Sequence, residues 1–115
     1  DQAAGQGGRR MIDLTIIYWR DIPAQVVAKQ GRKRSRRALT PRFQQGIDRA
    51  AMRAKKIDTD AYLEDWRRES TRLEGEMEAL VQEAAERLER EYDELRLERI
   101  VRNRGLDPAL AGAEA

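Results

Sequence analysis

The densest chemistry in this sequence is a run of cations: Lys29, Arg32, Lys33, Arg34, Arg36, Arg37 and Arg42. Arg49 and Arg53 follow about two and three helical turns after Arg42. Such a cluster neutralises phosphates or carboxylates, and binding of that kind weakens as salt rises. Pro41 is placed to open a helix whose first unpaired N–H groups and positive dipole end would favour an anion. Three occupants fit the cluster: acidic protein surface (the chain's own acidic half, a second copy or another protein), nucleic acid, or a small phosphorylated or carboxylated ligand. Protein-facing use is favoured, because seventeen acids lie downstream. Single-stranded nucleic acid calls for stacking aromatics, and here only Phe43 is close by.

A second set is apolar. If the first two predicted strands form a hairpin, Ile17, Trp19 and Val27 share its outward face, with Arg20 beside them. Tryptophan commonly anchors interfaces, so these four read as a protein-binding patch. Asp58, Asp60, Glu64 and Asp65 could hold Mg²⁺ loosely, but they lack calcium-loop spacing. Helix capping and dipole complementation explain them better, and no metal site is expected. Catalytic options are few. The chain has no His and no Cys, which removes imidazole bases, thiol nucleophiles and the usual zinc sites. Ser35 and Ser70 have no neighbouring base motif, and AGQGGR near the start lacks the Lys-Ser/Thr ending and following helix of a phosphate loop. The expectation is a protein that is not an enzyme and carries no cofactor.

The net charge of +2 over 115 residues conceals strong segregation. Residues 9–56 hold fourteen Lys or Arg against three acids, and residues 57–115 hold nine Arg against seventeen acids. Such asymmetry concerns partners more than fold. No apolar run is long enough to span a bilayer, so no membrane association is expected. The lack of Cys fits a reducing compartment, and the reading is a cytoplasmic protein. Residues 1–10 read as a flexible tail, with Met11 as a native start.

Elements must position these residues. IDLTIIYW (12–19) has the β-branched and aromatic composition of a strand, with Ile12, Leu14, Ile16 and Tyr18 facing inward. AQVVAK (24–29) supplies an antiparallel partner after a turn, and SRRALT (35–40) a short third strand. Phe43, Ile47, Ala50, Ala51 and Ala54 stripe a helix from Pro41 to about Lys55. A short helix over DAYLEDWRRE (60–69) follows, capped by Asp58 or Thr59, then a break over 70–75. A single long helix is expected from Glu76 to Asn103, striped by Met77, Leu80, Val81, Ala84, Ala85, Leu88, Tyr92 and Leu95. That stripe approaches a coiled-coil seam, which favours a homodimer through this helix. Gly105 should end it with Leu106 packing back, and residues 107–115 should form a frayed tail. The fold class is α+β: a small antiparallel sheet packed with three helices, the last one long.

Four blocks carry a family resemblance: YWRDIPAQV (18–26), GRKRSRRALTPRFQ (31–44), IDRAAM (47–52) and TDAYLEDW (59–66). They resemble the virulence factor domain family, found as short bacterial stand-alone proteins and as a module of the larger staphylococcal conserved virulence factor C. The likeness covers residues 11–69 as an α+β core, with 70–106 as an added charged helix. It implies no catalytic residues. Members encoded near folate- and corrinoid-dependent one-carbon enzymes imply an accessory role there. The resulting expectation is a non-catalytic accessory protein that binds another protein, a one-carbon enzyme among the candidates, with nucleic-acid binding through residues 29–42 as the alternative.

Overall fold

The computed structural model describes residues 11–56 and 58–110. The tail at 1–10 and residues 111–115 of the frayed end expected over 107–115 lie outside the described residues. Residues 107–110 are ordered, however, with Asp107 buried and bonded to Arg96 and Asp21 and residues 108–110 helical. Strand β1 (Met11–Trp19) turns through Arg20–Asp21 into β2 (Ile22–Gln30), which turns through Gly31–Arg32 into β3 (Lys33–Ala38). Both two-residue turns use the left-handed region: Arg20 has φ 53° and Gly31 φ 60°. Such values match the right-handed twist of a tight hairpin. Helix α1 (Pro41–Arg53) and the short α2 (Thr59–Leu63) follow. Strand β4 (Trp66–Glu74), helix α3 (Met77–Glu91) and helix α4 (Glu94–Arg102) complete the fold. The sheet is antiparallel in the order β3-β2-β1-β4, and the architecture is α+β.

Strand β4 corrects the sequence reading, which gave its first residues to a helix and the rest to a break. WRRESTRLE is rich in Arg and Glu, good helix formers by propensity. Its nine residues nevertheless pair one for one with β1, from Trp19↔Trp66 to Met11↔Glu74. Ladder pairing with an apolar strand outweighs a weak local preference. The Thr15 and Ser70 hydroxyls add a hydrogen bond of 2.8 Å across the pair.

The single long helix is a second correction. It breaks at Tyr92 (φ −104°, ψ 67°), and Asp93 caps the next helix by accepting from the Arg96 amide at 2.8 Å. A continuous rod would carry Leu97, Ile100 and Val101 away from the core. The break folds α4 back onto α1 and leaves Ile100 and Val101 fully buried. Gly46 permits the close approach, because a Cβ there would lie 3.3 Å from Val101 Cγ2. The stripe of Val81, Ala84, Ala85 and Leu88 packs inside this chain's own core. It therefore offers no free coiled-coil seam, which removes the basis for dimerisation through a long helix. Nor is 70–106 an appendage, since β4 is part of the sheet and α4 part of the core. Leu106, expected to pack back, is 47% exposed.

Register assigns the two faces of the sheet. Ile12, Leu14 and Tyr18 on β1 and Val26 and Ala28 on β2 point to the helices and are buried. Helix α3 crosses that face over β2, β3 and β1. Tyr18 lies there under the Arg67 guanidinium, 4.3 Å from the ring centroid, and burial first of all pushes its phenol up to about 12. A raised folded-state value means the native fold keeps a proton that the unfolded chain loses from pH 10.0 upward. Stability from this group is thus complete below pH 10 and declines toward pH 12. Phenolate absorbance should show Tyr18 ionising about two units later in native than in urea-unfolded protein. Titration of Tyr18 at the ordinary value would contradict its burial.

Candidate functional site

The face opposite the main helices is open except at its Trp19–Trp66 end, where Tyr62 of α2 and the Gly105 corner pack. It carries Asp13, Thr15 and Ile17 from β1, and Gln25, Val27 and Lys29 from β2. Arg34, Arg36 and Ala38 come from β3, and Arg68, Ser70, Arg72 and Glu74 from β4. None of these residues is buried. Cross-strand register lines them up in rows: Arg34–Lys29–Asp13–Arg72, Arg36–Val27–Thr15–Ser70, and Ala38–Gln25–Ile17–Arg68. Five cations thus face two carboxylates on one surface. Arg72 pairs with Asp13 at 3.5 Å, an exposed contact worth little. Lys29, Arg34, Arg36 and Arg68 have no ion pair among the described residues. Below the last row a shallow hollow of about 450 Å³ is lined by Ile17, Gln25, Trp66, Arg67 and Arg68.

The basic cluster read from the sequence is divided by this geometry. Lys29, Arg34 and Arg36 stand together on the open face. Lys33 and Arg37 belong to the alternate set of β3, with Ser35, on the helix side. Arg32 occupies the β2–β3 turn. Arg42 leaves the cluster altogether. Its guanidinium stacks 4.4 Å over Phe43 and donates to the Tyr92 carbonyl at 2.6 Å and the Glu89 carbonyl at 2.9 Å. Those carbonyls end α3 without helical partners, so Arg42 acts as a C-terminal cap. The anion site expected at the start of α1 is also occupied from within. Glu89 accepts from the Thr40 amide at 2.7 Å and the Thr40 hydroxyl at 2.9 Å. Arg49 is held by both oxygens of Glu98 at 2.8 Å, and those hydrogen bonds keep the Glu98 carboxyl down at about 2.

The proposed apolar interface is corrected more sharply. Ile17 and Val27 are on the open face, half-buried and diagonal to one another. Trp19 is fully buried. Its indole stacks on Tyr62 with centroids 5.8 Å apart and donates to the Tyr62 carbonyl at 2.8 Å. Arg20 is committed too: Asp65 holds its Nε at 3.1 Å, and Nη1 donates to the Arg104 carbonyl at 2.8 Å. The cause is the corner beyond α4, which clamps the β1–β2 turn. The Asp21 amide donates to the Gly105 carbonyl, and Asp21 accepts from the Asp107 amide at 2.7 Å. Arg67 Nη2 also reaches Asp21, at 3.1 Å. Simple alternation missed this. The β1–β2 register shifts between Ile17 and Tyr18, and a long-range clamp covers the strand's end.

Sequence reasoning also missed Arg68, Arg72 and Trp66, since it placed no strand there. The recoverable signal was the apolar strand at 12–19, which needs a pairing partner on each side to escape being an edge. Among the acids, Asp58 occupies the α2 cap position without a side-chain cap bond, and Glu64 and Asp65 pair with Lys56. Among the described residues no group of three metal-ligating side chains comes together, and no helix is long and apolar enough to cross a membrane. A groove of about 820 Å³ between α1 and α4 includes Arg42, Arg49 and Glu98. Its cations already have partners within the chain. What the open face can do chemically is bind an extended or flat anionic surface.

No curated protein and no solved structure matches this chain. A family model described as virulence factor matches residues 17–101, from inside β1 to the last turn of α4. The match thus runs through α3 and α4, beyond the region where the sequence resemblance was strong. Spanning well over half of the sequence, it makes this chain a member of the virulence factor family.

Proposed function

We propose that this protein is a non-catalytic accessory protein that docks on an acidic surface of another protein through the open face of its sheet. The observation that carries the reading is the set of four cations on that face, Lys29, Arg34, Arg36 and Arg68, left without ion pairs among the described residues while Arg42 and Arg49 are tied up internally. Ile17 and Val27 between them add aliphatic contact. Charge of this kind steers encounter and fixes orientation more than it adds affinity. The family resemblance supports a one-carbon enzyme of folate- or corrinoid-dependent methyl transfer as the class of partner.

The test is a charge reversal, Arg34→Glu with Arg36→Glu and Arg68→Glu. All three side chains lie on the open face, so the melting temperature should stay within a few degrees. A partner retained by the native protein in pull-downs from its own cell should bind at least about tenfold more weakly. An unchanged partner set sinks the reading.

Nucleic-acid binding is the second reading, favoured by the spread of cations from β3 to β4. If it holds, a labelled oligonucleotide binds at low ionic strength and is released steeply as salt rises. The thinness of exposed aromatic surface counts against it. Trp66 is half-buried and packs edge-on against Tyr62 at 5.8 Å, on the far side of the sheet from β3.

A further inference from the structure

We propose that the free edge of β3 accepts an acidic polypeptide segment as a fifth strand of the sheet. This deepens the reading of an acidic protein partner and rests on it. An edge strand presents a row of unpaired main-chain N–H and C=O groups, a template for another chain. Two strands end this sheet, and they differ. In β4, Arg67 pairs with Asp21 and Glu69 and Arg72 with Asp13, so that edge carries both signs, much of it matched internally. In β3, KRSRRA carries four cations and no acid, and among the described residues none of the four has an ion pair.

The shape of β3 suits strand addition. Its pairing with β2 runs from Gln25↔Ala38 to Gln30↔Lys33 with no register shift, so no bulge turns the edge away. No proline interrupts it, and every residue but Ser35 is exposed. The cations also alternate, with Arg34 and Arg36 on the open face and Lys33 and Arg37 on the other. A nucleic-acid strand laid across the open face would meet only one of these pairs. A polypeptide paired along the edge would meet both, because its own side chains alternate in the same way. The four positive charges also keep other copies of β3 away, which leaves an acidic strand as the complementary occupant.

The test uses a labelled peptide containing Glu-Glu-Thr-Glu-Glu and two N-methylated forms of it, methylated at odd or at even amides. All three carry the same charge, but each methylated form loses the donors of one of its edges. The unmodified peptide should bind and should slow hydrogen exchange of β3 amides between Lys33 and Ala38. One methylated form should bind about tenfold or more weaker and the other nearly normally, as loss of two or three backbone hydrogen bonds on one side implies. Equal binding of all three, no binding, or binding without β3 protection overturns strand addition. So does preference for an oligothymidylate of equal charge. If the Arg34/Arg36/Arg68 reversal still releases the native partner while the peptide fails, the accessory reading stands and strand addition falls. If neither experiment responds, both fall.

Discussion

Trp19→Ala is expected to lower the unfolding free energy by about 3–5 kcal/mol, the usual range for emptying a buried aromatic site. The indole is fully buried, stacks on Tyr62 and donates to the Tyr62 carbonyl at 2.8 Å, so the substitution removes volume, stacking and a polar contact together. Such a loss consumes much of the stability of a typical small domain. Urea unfolding followed by circular dichroism measures it directly. Trp19→Phe refines the measurement: it keeps most of the ring but strands the Tyr62 carbonyl, and should cost about 1–3 kcal/mol. If Trp19→Ala left stability within about 1 kcal/mol of the parent and instead released a bound partner, Trp19 would be an interface residue after all.

Gly105→Ala should rank next, at about 2–5 kcal/mol, through two separable causes. Gly105 has φ +91°, a conformation that L side chains rarely adopt. A methyl group there would also sit 2.9 Å from Trp19 Cζ3 and 3.2 Å from Arg20 Cδ, with the ring already wedged in place. Moving the corner aside would break the bond between the Asp21 amide and the Gly105 carbonyl and disturb the Arg20 contact to Arg104. A double-mutant cycle divides the causes. In a Trp19→Phe background the smaller ring relieves the clash, so Gly105→Ala should be milder there by a measurable coupling energy. A cost identical in both backgrounds would leave backbone strain as the whole explanation.

How much of this was legible in the sequence depended on the range of the interactions involved. The β1–β2–β3 meander and α1 follow from composition, turn residues and period, and each is stabilised largely by neighbours in sequence. What escaped was decided at long range. β4 reads as helix because its residues favour helix individually, and only pairing with β1 makes it a strand. The break at Tyr92 was visible only as a stripe that becomes irregular at Leu97, Ile100 and Val101, with Asp93 available as a cap. Its cause, docking of α4 against Gly46, is tertiary. The basic cluster was legible as composition but not as geometry. Alternation along β3 and the demand of α3's end for a cap sort Arg34 and Arg36 from Arg37 and Arg42. Trp19 was misread because period-2 alternation says nothing about a clamp supplied 86 residues later.

The strand order also bears on how the protein is made. β1, the most apolar strand of the sheet, receives β2 at once from the adjacent hairpin, but its other neighbour is β4, which is complete only about 55 residues after Trp19 leaves the synthetic machinery. At ordinary elongation rates that interval is roughly 3–11 s. Through it the nascent sheet ends on one side in a cationic strand that repels its own kind and on the other in MIDLTIIYW, an adhesive edge with its backbone open. The hazard of this fold is therefore a matter of timing. Completion of WRRESTRLE closes a window during which two growing copies could pair through their first strands, and a stall between Arg53 and Trp66 would hold that window open.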